Sequence, residues 1–179
     1  MYGLLTPKMR DTLRTHVQGR IVWDLGAGDL GYSNLLLTLG ASKVIAIDKA
    51  DMPPGSPGIE CRRGYFQDLA MPDMDIEVVF LSWPQNNTLW GLYEILERTT
   101  NIIYLGSNTG GSACGTPALY TQLALREVIA HVPHPRNSFI VYGGRATTPR
   151  TLLAEEWAAL HQEQVWTIEE ATRASQGCP

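Results

Sequence analysis

IVWDLGAGDLGYSNLLLTLG, residues 21–40, changes character twice in twenty positions. It opens on the apolar run IVWDL, closes on the leucine-rich YSNLLLTLG, and between them Gly26, Gly28 and Gly31 stand in the spacing G-x-G-x-x-G. The first piece reads as a buried strand, the last as a helix, and GAGDLG as the tight turn joining them. A glycine turn between a strand and a helix brings backbone N–H groups and a helix N-terminus to one place, where a ligand can approach the main chain closely. Local pattern thus predicts a strand–turn–helix unit with a ligand turn at its centre.

Outward from this unit the same alternation continues. Strands are expected at about 21–25, 43–47, 59–64, 78–82, 101–105 and 138–142, where β-branched and aromatic residues cluster between turn formers. Thr6-Pro7 is a cap-then-proline start for a first helix, with Met9, Leu13, His16 and Val17 on one face before Gly19. Leu89, Leu92, Tyr93 and Leu96 form an i, i+3, i+4, i+7 stripe, and Leu125, Val128, Ile129 and Val132 form another, so both stretches are expected to be helices. A last helix from Thr148-Pro149 would turn Leu153, Trp157 and Leu160 inward, with VWTIEEA as a final strand or tail. DMPPGSPG, residues 51–58, carries three prolines and two glycines and is expected to be an extended loop, either a plain linker or a rim of the ligand crevice. The fold class is therefore α/β: a single doubly wound, mostly parallel sheet with helices on both faces, in one domain spanning residues 1–179.

Bulk properties narrow the setting. A chain of 179 residues with 44% hydrophobic content suffices for one well-filled core. No apolar run approaches the roughly 20 residues of a membrane span, and MYGLLTPKMR lacks the apolar stretch of a signal peptide. A cytoplasmic protein is expected. Cys61, Cys114 and Cys178 are odd in number and widely separated, which suits a reducing compartment better than a disulfide framework. Fourteen basic residues against eighteen acidic ones give a net charge of −4, with no basic block to follow a phosphate backbone. Nucleic acid is accordingly a less favoured partner than a small-molecule or protein substrate, and no membrane is expected.

Acids around the glycine turn address the ligand. Asp24 precedes the turn and Asp29 lies inside it, where the pyrophosphate of a dinucleotide would need to approach against like charge. A ligand with an ammonium and a sulfonium but no phosphate meets those carboxylates favourably, and S-adenosylmethionine is such a ligand. Twenty residues after Gly28, the strand KVIAID ends in Asp48, placed to accept hydrogen bonds from both hydroxyls of a ribose. NAD and S-adenosylmethionine share that ribose. A cap or a turn without a ligand would use the same residues.

At these residues the sequence resembles the class I, Rossmann-like S-adenosylmethionine-dependent methyltransferases. VWDLGAGDLGYS resembles the first motif of that family, E/D-x-G-x-G-x-G, with Leu30 where the third glycine often lies; IAIDK resembles the second, GYFQDL the third, and VVFLSWPQNN stands where the fourth belongs. The likeness covers roughly residues 20–110. It implies a cofactor site made of Asp24, Gly26, Ala27, Gly28, Asp29, Leu30, Asp48, Lys49, Gln67 and Asp68, with Asp48 on the ribose and Asp68 on the adenine amino group beside Gln67 or Phe66. It implies methyl transfer by in-line displacement, with Ser82, Trp83 and Pro84 at the acceptor. In relatives that methylate nitrogen the fourth motif is often Asp/Asn-Pro-Pro-Tyr/Phe; here Ser82, Trp83, Pro84 and Gln85 stand in its place. Two other functions share the glycine turn: an NAD-dependent oxidoreductase, and a noncatalytic adenosine-binding module.

The remaining motifs are weaker. GSNTGGSACGT, residues 106–116, is glycine-rich and belongs after the fifth strand, at the same sheet edge as the first turn. Cys114 has no base near it in sequence that would mark a nucleophile. His131 and His134 would need their rings brought together to hold a metal, and no metal is expected. Asn86-Asn87-Thr88 reads as a helix cap before Leu89.

Overall fold

A computed structural model describes residues 5–69, 75–84, 91–106, 115–133 and 138–144. The chain divides into two compact units, Met1–Thr147 and Thr148–Pro179. Every candidate site residue belongs to the first unit, whereas the helix expected from Thr148 and the strand expected at VWTIEEA lie outside the described residues.

As far as β5, chain order alternates as the sequence patterns anticipate: α1 (Pro7–Val17), β1 (Ile21–Leu25), α2 (Gly31–Thr38), β2 (Lys43–Asp48), β3 (Ile59–Arg63), β4 (Ile76–Ser82), α3 (Leu92–Glu97) and β5 (Thr99–Gly106), followed by α4 (Pro117–Ala124), β6 (Glu127–Pro133) and β7 (Ser138–Gly143). A short 3-10 turn, Phe66–Asp68, follows β3. The Thr6 side chain accepts a hydrogen bond from the Met9 N–H and starts α1, a cap worth about 1 kcal/mol, with proline next to it at the first helical position. Met9, Leu13 and Val17 are fully buried on the inner face of that helix, while His16 is only half-buried.

One sheet of seven strands organises these elements, in the order β3-β2-β1-β4-β5-β7-β6. β1 through β5 are mutually parallel, and β7 lies antiparallel between β5 and β6. Alternate residues along the central strands feed two cores. Val22, Val44, Val78, Phe80 and Ile103 join Met9 and Leu13 of α1 and Leu36 of α2 on one face; Trp23, Ile45, Val79, Leu81, Ile102 and Tyr104 join Ile95 of α3 and Leu119 and Leu123 of α4 on the other. Period-two alternation with both sides apolar is what a central strand covered by helices on both faces requires, and each such side chain contributes about 1.5–3 kcal/mol by leaving water.

One helix expectation fails. The stripe Leu125, Val128, Ile129 and Val132 does not form a helix; residues 127–133 are the edge strand β6, preceded by α4 at 117–124. The apolar spacing fits a helix, but the segment is rich in β-branched Val and Ile, and the open edge of β7 offers it a ladder of main-chain partners. Val128 and Ile129 remain exposed, at 53% and 42%, because the register shifts between Val128 and Ala130. That bulge and Pro133 at the end of the strand are common means of blunting a free sheet edge. The helix before it starts as α1 does, with Thr116 accepting from the Leu119 N–H and proline following. Of the stripe at 89–96, Leu92 and Leu96 are buried in α3, Tyr93 is half-buried, and Leu89 lies outside the described residues.

Candidate cofactor and acceptor site

Sheet order decides where a ligand belongs. From β1 the chain moves outward to β2 and β3, and from β4 it moves the other way to β5, so the connections diverge between β1 and β4. Open α/β sheets bind ligands at the carboxyl ends of strands beside such a reversal. Leu25 pairs with Leu81 across β1 and β4, so the next residues, Gly26 and Ser82, begin the two connections that leave this crevice on opposite sides.

Gly26 has φ 81° and Gly28 φ 53°, left-handed conformations that a side chain resists. The Gly26 and Ala27 N–H groups donate to Ile47 O at 2.8 and 3.1 Å, anchoring the turn to the end of β2. Among the described residues a Cβ placed on Gly26 or Gly28 would meet no atom within 4 Å, so their packing does not demand glycine there and leaves the main chain open to close approach. Leu30 also has a left-handed backbone, φ 61°, at the cap of α2. That is the conformation a third glycine would adopt without strain; the leucine is kept by its side chain, 2% exposed among Ala27, Ala46 and the half-buried Met52. Met52 belongs to the DMPPGSPG segment, an extended loop as expected, which therefore packs directly beside the glycine turn.

Three carboxylates surround the turn. Asp48, at the end of β2, accepts from the Gly28 N–H through Oδ2 at 2.9 Å and from the Ala50 N–H through Oδ1 at 2.8 Å. Asp29 Oδ1 accepts from the Gly31 N–H at 2.9 Å and so already occupies the N-terminus of α2. Asp24 is wholly enclosed, its Oδ2 accepting from the Ser33 hydroxyl at 2.6 Å, while its equally buried Oδ1 has no hydrogen-bond partner among the described residues. Burial, with a smaller contribution from the charges of Asp48 and Asp29, lifts the Asp24 pKa to about 7 against the Ser33 bond, which lowers it. Lys49 follows on the exposed surface.

The other motif residues line nearby segments. Gln67 and Asp68 stand on the 3-10 turn after β3, with Asp68 exposed and Phe66 packed against the core face that holds Trp23 and Leu81. Ser82 ends β4 half-buried. Trp83 takes φ 48°, an unusual backbone for a bulky residue, held by its N–H donating to Leu105 O at 2.7 Å. Its indole Nε1 is buried with no hydrogen-bond partner among the described residues. Pro84 is buried, and its carbonyl accepts from the Gly115 N–H at 2.6 Å, tying the chain before α4 to the end of β4. The glycine-rich segment thus returns to Pro84 at Gly115, although residues 107–114, Cys114 among them, lie outside the described residues. Gln85, Asn86, Asn87 and Thr88 do as well. His131 is exposed on β6, and His134 lies outside the described residues.

The structure therefore brings the glycine turn, Asp24, Asp29 and Asp48 together, and sets Ser82, Trp83 and Pro84 at the neighbouring strand end. Two partners went unread in the sequence. Ser33 is an ordinary helix residue until its position one turn into α2 puts it over Asp24, and Gly115 reaches Pro84 only through the fold.

No protein-family model and no curated protein sequence matches the chain. Solved structures do. An rRNA methylase from Streptococcus thermophilus superposes with a TM-score of 0.56 at 13% identity, covering 81% of this chain and 99% of that one. A ribosomal protein L11 methylase from Lactobacillus delbrueckii subsp. bulgaricus gives 0.55 at 14% identity, covering 78% of each chain. A Streptococcus mutans protein assigned as a methyltransferase and solved with S-adenosylhomocysteine gives 0.53 at 15% identity, covering 80% of this chain and 99% of that one. Together with the sheet order and the helices on both faces, these likenesses identify the fold of this chain as that of the class I S-adenosylmethionine-dependent methyltransferases.

Proposed function

We propose that the chain is an S-adenosylmethionine-dependent methyltransferase that binds its cofactor at the carboxyl ends of β1, β2 and β4. The observation that carries this reading is the ring of carboxylates at the glycine turn, with the N-terminus of α2 already taken by Asp29. A pyrophosphate would compete with Asp29 for those N–H groups and meet the like charges of Asp29 and Asp48; an ammonium and a sulfonium would be attracted by the same two charges. The residues present fit the cofactor in two further respects. Each Asp48 oxygen uses one lone pair on a backbone N–H and keeps another for a ribose hydroxyl. Gly26, Ala27 and Gly28 offer open main chain beside it, Leu30 and Lys49 flank the turn, and Gln67 and Asp68 are assigned to the adenine end.

When bound, the cofactor supplies a methyl group on a sulfonium, already a good leaving group, so the protein has chiefly to position the acceptor and handle a proton. Ser82 Oγ and the Trp83 carbonyl are assigned to accept hydrogen bonds from the acceptor group. Pro84 stiffens that main chain, and the bonds from Trp83 to Leu105 and from Gly115 to Pro84 hold it in register. The acceptor class stays wider than the charge balance alone suggested. An rRNA methylase and a ribosomal protein methylase share the fold, so RNA stands beside proteins and small molecules as a substrate class. Among the described residues no helix is long and apolar enough to cross a membrane. A cytoplasmic setting suits the exposed free thiol of Cys61.

Titration calorimetry with S-adenosylmethionine, S-adenosylhomocysteine and NAD tests the reading. The first two should bind and NAD should not; NAD affinity comparable to theirs overturns the assignment. Transfer of labelled methyl to a panel of RNA, protein and small-molecule acceptors then separates the substrate classes.

A further inference from the structure

We propose that Asp24 is a buried counter-ion that is neutral in the ligand-free protein and ionises when the cationic cofactor arrives, so that binding expels one proton. The inference rests on the cofactor reading above and adds to it a linkage between binding and pH.

Geometry is the first support. Asp24 is 0% exposed beneath the glycine turn, with the carboxylates of Asp29 and Asp48 close by, and one of its oxygens has no hydrogen-bond partner among the described residues. A fully ionised carboxylate in that place is both desolvated and short of hydrogen bonds, which is the costliest state for a buried acid. The groups facing it are the Ser33 hydroxyl and Tyr32 from α2, Asp48 from β2 and Asp29 from the turn; its strand neighbours, Ala46 and Phe80, carry no charge. Of these only the Ser33 hydroxyl favours the ionised form, and among the described residues no cation faces Asp24. Tyr32, pushed up to about 12 by burial and by Asp24 and Asp29, stays neutral through the physiological range.

Asp24 itself titrates near 7 in the free protein, so close to neutral pH a nearby charge decides its state. A ligand bearing positive charge supplies what is missing, and the acid gives its proton to the buffer while the bonding pair remains on the carboxylate. Below pH 7 the ligand must then displace that proton, so affinity falls as the medium becomes more acid. By reciprocity, a ligand that lowers the Asp24 pKa binds the ionised form more tightly by the same factor.

Calorimetry of S-adenosylmethionine binding between pH 6 and 7.5, repeated in buffers of different protonation enthalpy, counts the protons exchanged. In this window the cofactor's own amino group, an α-amine of pKa about 7.7–8.0, remains largely protonated. Release approaching one proton per cofactor at pH 6, with affinity falling up to tenfold per pH unit on the acid side, is the expected result. Asp24→Asn should abolish both the release and the slope. Ser33→Ala, which keeps the acid and removes the one group favouring its ionisation, should move the profile to higher pH and provides the test if the asparagine variant does not fold. Binding without proton release in the parent, equal release in Asp24→Asn, or an unmoved profile in Ser33→Ala overturns the proposal while leaving the cofactor assignment standing. Absence of any binding between pH 6 and 8 overturns both.

Discussion

Replacing Asp48 by asparagine probes the site with the smallest change of shape. In the parent, both carboxylate oxygens are engaged by main-chain donors, Gly28 N–H at 2.9 Å and Ala50 N–H at 2.8 Å. An amide has one acceptor oxygen and one donor nitrogen, so whichever way the new side chain turns, an NH₂ faces one of those N–H groups. The variant loses one main-chain bond, to Gly28 or to Ala50, and a ribose hydroxyl loses the charged acceptor assigned to it. Hydrogen bonds to charged groups are worth about 1.5–3 kcal/mol each, so S-adenosylmethionine affinity should fall by about 1.5–3 kcal/mol, roughly 10-fold to 150-fold. Both main-chain donors sit at exposed positions where water can replace the carboxylate, so unfolding free energy should change by no more than about 1 kcal/mol. Calorimetry gives the first quantity and urea denaturation the second. A folded Asp48→Asn protein that binds within twofold of the parent would falsify the ribose assignment and leave Asp48 as a turn cap.

Three further outcomes follow from the same structure. Ser82→Ala should leave cofactor affinity within about 1 kcal/mol while single-turnover methyl transfer slows tenfold or more, once an acceptor is in hand; equal rates remove Ser82 from the chemistry. Leu30→Gly relieves a left-handed backbone worth about 1–2 kcal/mol but empties a buried leucine site worth about 2–5 kcal/mol, so urea unfolding should show a net loss near 2 kcal/mol, and a gain would mean that strain outweighs packing. Arg126, 8% exposed, donates to the carbonyls of Leu96, Thr99 and Gly144 and so joins α3, β5 and the end of β7. Its replacement by methionine should cost about 3–5 kcal/mol, read from the urea midpoint, and a cost below 1 kcal/mol would show that water replaces those contacts readily.

Local signals determined most of the elements. Thr6-Pro7 starts α1, the β-branched runs at 21–25 and 43–48 are strands, and the prolines of 51–58 keep that connection out of a helix. These features act within a few residues along the chain, through caps, side-chain periodicity and restricted φ, and so can be read before folding is considered. The glycine turn and the terminal Asp48 belong with them, because a strand–turn–helix unit fixes their neighbourhood by itself. Residues 127–133 show where such reading stops. Their spacing suits a helix face, and pairing with β7, together with their β-branched Val and Ile, makes them a strand.

The chemistry of the site divides at the same point. That Asp24 is an acid is plain in the sequence, but its complete burial, its bond to Ser33 and its unpartnered oxygen arise when α2 closes over β1. Trp83's left-handed backbone is held by Leu105 on the next strand, and Pro84 is met by Gly115 from beyond β5. Gly26 and Ser82, separated by more than fifty positions, come to one crevice because β4 pairs with β1 rather than with β3. Strand order is a property of the whole sheet, settled by which faces bury best against which helices, and no local stretch of the chain encodes it alone.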